Sequence, residues 1–257
     1  MDLAAYARHS SLKDQTVLVT GGGSGIGAAI VECFLEQGSK VAFIDIEEAA
    51  SRDLCDRLQA QYQCRPLFIP CDIRDIAALR RAIAQAVADL GEIAVLVNNA
   101  ASDTRHDWRE VTPEYWDDRQ AINLRPLFFA IQAVAPAMQR KGGGSIINFG
   151  SISWMKSQGG MPAYTTAKAA IHGLTRSFAR ELGKDGIRVN TVVPGWVMTE
   201  RQKTLWLDEA GEREIDANQC LRGRVMPVDL ARMVLFLASK DSEMVSAQQF
   251  IVDGGWV

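Results

Sequence analysis

Two residues four apart, Tyr164 and Lys168 in the segment YTTAK, share one face of any helix that runs through them. A tyrosine with an unperturbed pKa of about 10 is a poor base at neutral pH. A nearby ammonium favours the phenolate and lowers that value. A phenolate can take the proton of a substrate hydroxyl while a hydride leaves the same carbon. Alone, the pair would be an incidental Tyr and Lys on a helix. Ser151 changes that reading. It stands 13 residues before Tyr164, just past the apolar run Ser145–Phe149. That is the carboxyl edge where α/β sheets place their chemistry, and the serine hydroxyl can hold the reacting oxygen beside Tyr164.

A second constellation is TGGGSGIG, Thr20 to Gly27. It begins where an apolar run ends and opens a helical segment. Gly21, Gly25 and Gly27, without side chains, let the backbone turn sharply and approach a pyrophosphate. The helix N-terminus beyond offers free N–H groups and the positive end of the helix dipole to that anion. Asp45 ends the next apolar run, 20 residues after Gly25. A carboxylate there accepts from adenosine ribose hydroxyls and repels a 2′-phosphate, so the expected cofactor is NAD rather than NADP. The alternative is a plain βα turn followed by a surface aspartate.

The elements that must position these groups are legible as seven apolar runs: Thr16–Thr20, Val41–Asp45, Pro66–Pro70, Ala94–Val97, Ser145–Phe149, Arg188–Val193 and Phe250–Val252. Each shows little alternation, which suits strands buried on both faces. Between them, helical spacing marks Ala28–Gln37, Glu47–Gln61, Asp75–Leu90, Pro113–Arg140, Ala163–Leu182 and Val228–Ser239. The alternation predicts an α/β, doubly wound fold: a seven-stranded parallel sheet with helices on both faces. Residues 1–257 read as one domain, since no long linker or repeat interrupts them. Glu200–Gly223 has no sheet role and reads as a loop that covers substrate.

Composition narrows the possibilities further. Lys+Arg 28 against Asp+Glu 31 gives a net charge of −3, with 47% hydrophobic and 23% charged residues. Such a balance offers no basic face for nucleic acid. No run of about eighteen apolar residues predicts a membrane span. The opening MDLAAYARHSSLKDQ lacks a positive end followed by an apolar stretch, so a cytoplasmic protein is expected. The five cysteines, Cys33, Cys55, Cys64, Cys71 and Cys220, form no CxxC pair and read as free thiols. His9, His106 and His172 have no ligand spacing, so no metal is expected.

Taken together, these segments resemble the short-chain dehydrogenases/reductases from Leu12 to Gly255. The resemblance rests on TGGGSGIG, CDI at Cys71–Ile73, NNA at Asn98–Ala100, Asn123, Ser151, YTTAK, PG at Pro194–Gly195 and VDGG at Val252–Gly255. It implies a single-domain Rossmann fold and a catalytic tetrad of Asn123, Ser151, Tyr164 and Lys168. Asn123 would bend its helix and hold a water in a proton relay through Lys168. Lys168 and Tyr164 would also touch the cofactor. Gly21, Ser24, Gly25, Ile26 and Gly27 would cradle the phosphates, and Asp45 and Ile46 the adenosine ribose. Asp72 would hydrogen-bond the adenine, with the Ile73 backbone beside it, and Asn99 and Ala100 would also touch the cofactor. Pro194, Gly195, Val197 and Thr199 would hold the nicotinamide. Ala101 departs from the family's usual glycine. The family is commonly tetrameric, so a homotetramer is expected.

NNAASDTRH, YWDDRQAINLR, GGGSIINFGSISW and QCLRGRVMPVDLARMVLFLASKDS look like the bacterial aldose 1-dehydrogenases of this family, those acting on D-xylose, L-arabinose or D-galactose. These oxidise a cyclic aldose at C1 to its lactone. A pyranose site needs hydrogen-bonding groups and an aromatic surface. Arg105, His106, Trp154, Trp196 and Gln202, with Ser151 and Tyr164, could supply them. Each has a packing alternative: the tryptophans could fill loops, and Arg105 could pair with Asp103 or Asp107. Two other functions remain open. The same tetrad could act on a polyol or another secondary alcohol or ketone. A non-catalytic cofactor-binding regulator would normally lack part of the tetrad.

Overall fold

All seven apolar runs are strands: β1 Thr16–Thr20, β2 Lys40–Asp45, β3 Leu67–Pro70, β4 Val95–Asn98, β5 Gly144–Phe149, β6 Ile187–Pro194 and β7 Gln249–Val252. The structure, a computed structural model, describes residues 6–257. Residues 1–5, where the reading of the chain's opening begins, lie outside the described residues. The strands form one parallel sheet in the order β3-β2-β1-β4-β5-β6-β7. The chain leaves β1 toward β2 on one side, and β4 lies on the other. A crevice therefore opens between the carboxyl ends of β1 and β4.

The missing alternation has a direct cause, because successive strand residues point to opposite faces and both faces are covered. Val17, Val19, Val41, Phe43 and Ile147 enter one core, with α1 (Gly25–Glu36), α2 (Glu48–Tyr62) and α9 (Pro227–Ala238). Leu18, Ala42, Ile44, Leu96 and Ile146 enter the other, with α3 (Ile76–Leu90), α5 (Arg125–Lys141) and α6 (Pro162–Leu182). Fully burying each such Val, Leu or Ile contributes on the order of 1.5–3 kcal/mol.

Two elements differ from expectation. The single helix read over Pro113–Arg140 is two, α4 (Pro113–Asn123) and α5, broken at Leu124 (φ −134, ψ −55). Pro126 is the cause, since its ring lacks an N–H and would clash with the Ile122 carbonyl in a continuous helix. By length and composition alone, residues 113–141 could cross a membrane, but half of that window is buried and the two helices pack on α3 and α6. It is a core element of this fold. The second difference lies in Glu200–Gly223. That segment holds two short helices, α7 (Glu200–Leu205) and α8 (Glu209–Asn218). Thr199 caps α7 by accepting from the Gln202 N–H at 3.2 Å, and Asp208 caps α8 by accepting from the Gly211 N–H at 2.8 Å.

Candidate active site

A cavity of about 700 Å³ follows the carboxyl edge of the sheet, from the end of β2 past the glycine loop to α7. Every residue read from the sequence as cofactor-binding lines it, Gly21 through Thr199.

At the first end, β1 delivers the chain into a turn whose shape depends on glycine. Gly21 has φ +67, and a Cβ there would stand 2.8 Å from the Ala100 Cα. A Cβ on Gly27 would overlap the Gly21 carbonyl and lie 2.8 Å from the Asn99 side-chain amide. That amide donates to the carbonyls of Gly21 (2.9 Å) and Thr20 (3.1 Å), fixing the loop to the end of β4. Ser24 precedes α1 without capping it through its side chain. The first N–H groups of α1 therefore face the cavity mouth with no intrahelical acceptor. Asp45 is held in place rather than loose on the surface. Its Oδ2 accepts from the Gly23 N–H at 2.8 Å and its Oδ1 from the Glu47 N–H at 3.0 Å. Asp72 is clamped by Arg74, whose Nη2 donates at 2.7 Å and whose Nη1 reaches Asp118 at 2.9 Å. The Arg74 side chain holds the Asp72 carboxyl below the usual range. Ala101, in place of the family's glycine, has no left-handed backbone, so its methyl fits the turn.

The other end holds the reactive pair. Tyr164 and Lys168 lie on the first turns of α6, and the Lys168 Nζ sits 5.6 Å from the Tyr164 ring centre. The Ser151 hydroxyl hydrogen-bonds to Tyr164 and accepts from the Ser153 N–H at 3.1 Å. Lys168 is 2% exposed, and its ammonium donates to the Phe149 carbonyl at 2.8 Å. Burial pushes Lys168 down to about 7, against a smaller upward pull from Asp103. Burial pushes Tyr164 up, with the Asp103 charge adding to it and Ser151 and Arg105 opposing. The expectation that Lys168 draws Tyr164 toward phenolate is thus not met by these groups alone. Desolvation is the largest influence on both, and it favours two neutral side chains.

Asn123 does not line the cavity. Fully buried at the end of α4, it accepts from the Ser102 N–H at 2.8 Å and donates to the Ser102 carbonyl at 3.1 Å. It thereby shapes the loop after β4. His106 and Trp154, read as substrate contacts, also stand outside the cavity lining. His106 Nε2 accepts from the Ala163 N–H at 3.3 Å, and its Nδ1 lies 3.0 Å from the Tyr115 hydroxyl. An accepting Nε2 puts the ring proton on Nδ1. The ring is therefore pinned to the N-terminus of α6. Trp154 stacks edge-on against His172 and donates to its Nε2 at 3.3 Å. Arg105, Trp196 and Gln202 do line the cavity. Arg105 lies over the Trp206 ring, 5.0 Å from its centre, and the Trp196 Nε1 is buried without a partner.

The sequence reading named neither Asp103 nor Lys156 as a site residue, and both line the cavity. Asp103 accepts from Gln202 Nε2 at 2.7 Å, and Lys156 lies 4.2 Å from the Trp256 ring centre. The only available signal was the position of Asp103 a few residues past the end of β4, where α/β folds place loops that carry function. Among the described residues, no group of three or more His, Cys, Asp or Glu could hold a metal ion.

The residues present suit a dinucleotide. Gly21 and Gly27 admit no Cβ, the first N–H groups of α1 have no intrahelical acceptor, and Asp45 is oriented by two backbone donors.

Comparison with known proteins agrees with this geometry. The family described as enoyl-(acyl carrier protein) reductase matches residues 21–257. A protein of Rhizobium meliloti named probable galactose dehydrogenase is 52% identical over 95% of this chain and 95% of its own length. The D-xylose 1-dehydrogenase of Caulobacter vibrioides is 46% identical over 97% of this chain and 98% of its own. Among solved structures, a 7α-hydroxysteroid dehydrogenase complexed with NADH and a bile-acid ligand superposes with a TM-score of 0.91. It is 30% identical, covering 96% of this chain and 97% of that one. This chain belongs to the short-chain dehydrogenase/reductase family.

Proposed function

We propose that this protein oxidises a cyclic aldose at C1 to its lactone, with NAD as cofactor. One observation carries the reading: Ser151, Tyr164 and Lys168 meet in a cavity that also holds the glycine cradle and Asp45. The galactose and xylose dehydrogenases, similar over nearly full length, support the sugar as substrate. D-Galactose and D-xylose are the first substrates to test.

Ser151 and Tyr164 would bind the C1 hydroxyl, and Tyr164 would take its proton as the C1–H bond breaks and the carbonyl forms. NAD, when bound, supplies the hydride acceptor and a fixed positive charge. Such a charge counters the burial that holds Tyr164 protonated. Lys168, whose ammonium burial makes readier to give up its proton, is suited to pass a proton on from Tyr164. Asn123 would act through Ser102, fixing the loop that carries Asp103 and Arg105. The glycine loop and α1 would hold the pyrophosphate, Asp45 and Ile46 the ribose, and Asp72 and Ile73 the adenine. Val197 and Thr199 would hold the carboxamide. Their loop is fixed by the Gly195 N–H donating to Val252 and the Met198 N–H to Val225. Asp45 favours NAD over NADP, because a 2′-phosphate would face its carboxylate. Five free cysteines suit a reducing cytoplasm. Assembly as a homotetramer is part of the same proposal.

The test is NADH formation at 340 nm with a panel of aldoses, polyols and simple secondary alcohols, NADP run in parallel. Turnover of one or two aldoses with NAD is expected, with nearly all of it lost in Tyr164→Phe while NADH still binds. Turnover confined to open-chain alcohols discards the sugar. Normal turnover in Tyr164→Phe discards the base, and better use of NADP discards the argument from Asp45.

A further inference from the structure

Resting on the aldose reading, we infer that Asp103 is the residue that recognises the substrate as a polyhydroxy compound: its Oδ1 accepts a ring hydroxyl other than the one oxidised.

The argument begins with acceptor capacity. An ionised carboxylate offers about four acceptor sites and no donor. One site on Oδ2 is filled by Gln202 Nε2 at 2.7 Å. Oδ1 receives only Arg201, whose Nε and Nη2 both stand at 3.4 Å. Those contacts are long, and the Arg201 side chain is 53% exposed, whereas that of Asp103 is 18% exposed. A carboxylate withdrawn from water, with acceptor capacity unfilled and a cavity in front of it, is completed by a ligand that brings hydrogen-bond donors. Hydroxyl groups are such donors, and a C–H surface is not.

Placement is the second argument. Asp103 lines the same cavity as Ser151 and Tyr164. Its charge bears on both Tyr164 and Lys168. Its backbone is set from two sides. Asn123 grips Ser102 on one side, and the His106 N–H donates to the Gly160 carbonyl at 2.8 Å on the other. The carboxylate is therefore presented on a fixed loop and tied to α7 through Gln202. A ring hydroxyl displaces only the weak Arg201 contacts and leaves the Gln202 bond intact.

The test compares each accepted sugar with its monodeoxy analogues in wild type and Asp103→Asn, with NADH affinity followed by fluorescence as a check on folding. In wild type, removal of the hydroxyl bound by Asp103 should lower kcat/KM by about 10- to 100-fold, as expected for a hydrogen bond to a charged group. In Asp103→Asn, KM for the parent sugar should rise and discrimination against that analogue should shrink several-fold, because the amide oxygen still accepts but carries no charge. Losing the charge should also shift the pH profile of kcat through Tyr164 and Lys168. Arg201→Ala is the second variant, and it should keep the discrimination or enlarge it. The inference is overturned if Asp103→Asn retains the discrimination in full, if Arg201→Ala loses it, or if wild type uses monohydroxy alcohols as well as polyhydroxy ones. A wild type that ignores every aldose but turns over an open-chain polyol removes the aldose reading instead, and the deoxy comparison is then made on that polyol.

Discussion

Lys168 makes the cofactor-free protein less stable than an apolar residue would, by an amount that depends on pH. Its folded value is about 7 against an ordinary lysine value of 10.5. Between these values the unfolded chain binds a proton that the folded chain does not. Stability must therefore rise with pH across that window and be lowest below about 7. With the 10.5 and 7 of this lysine, the linkage relation gives a penalty of roughly 4 kcal/mol at pH 7 and roughly 2 kcal/mol at pH 9. Lys168→Met keeps the length of the stem and removes the titration. It also strands the Phe149 carbonyl that the ammonium now reaches at 2.8 Å, a cost that does not vary with pH. The assay is urea unfolding at pH 7, 8 and 9, without cofactor and at fixed protomer concentration. The wild-type gain from pH 7 to 9 should exceed that of the variant by about 2 kcal/mol. Cys33, which burial raises to about 12, acts in the opposite sense and at higher pH, and it is common to both proteins. Equal pH dependence in the two, within about 0.5 kcal/mol, would falsify the claim that burial shifts Lys168.

The other two predictions concern positioning and assembly. His106→Ala removes the acceptor of the Ala163 N–H and the partner of the Tyr115 hydroxyl. It should cost about 1–2 kcal/mol in urea unfolding, with Asn at this position recovering part of it; an aldose KM that rises with stability unchanged would instead put the imidazole in the sugar site. The purified protein should show a tetramer mass by light scattering, and a stable monomer refutes that assembly.

How much of this was legible depended on how local each cause is. The strands were readable because both faces of the sheet are covered, so Val17, Leu18 and Val19 are all buried and the run stays apolar. The helix break at Leu124 was not, because a proline does not by itself decide between ending a helix and sitting in one: Pro126 starts α5, while Pro136 lies inside α5 without breaking it. The capped helices α7 and α8 are six and ten residues long, too short for periodicity to stand out. Within the site, Tyr164 with Lys168, and the glycine turn followed by Asp45, follow from helix spacing and from the geometry of one βαβ unit. Arg105, His106, Trp154 and Asp103 lie on loops, where residue type suggests a role but direction does not follow from it. His106, outside the cavity lining, is tied to a backbone group 57 residues on, and Trp154 to a histidine 18 residues on.

What fixes Tyr164 and Lys168 against Ser151 is a buried polar chain behind them. Asn98 Nδ2 donates to Asn148 Oδ1 at 2.9 Å, Asn148 Nδ2 to the Thr175 hydroxyl at 3.0 Å, and Thr175 meets Thr191 at 2.8 Å. The chain runs from β4 through β5 and α6 to β6, and none of the four residues is more than 3% exposed. The apolar side of α6 could pack on the sheet with its axis shifted by a turn, because apolar contact is not directional. A shift of that size, about 5.4 Å, moves Thr175 out of reach of both Asn148 and Thr191. It would leave buried donors and acceptors unpaired, each costing about 1–3 kcal/mol. The hydrogen-bonded chain therefore sets the position of α6 along the sheet. Eleven and seven residues before Thr175 on the same helix, Tyr164 and Lys168 arrive at Ser151 and the Phe149 carbonyl as a consequence.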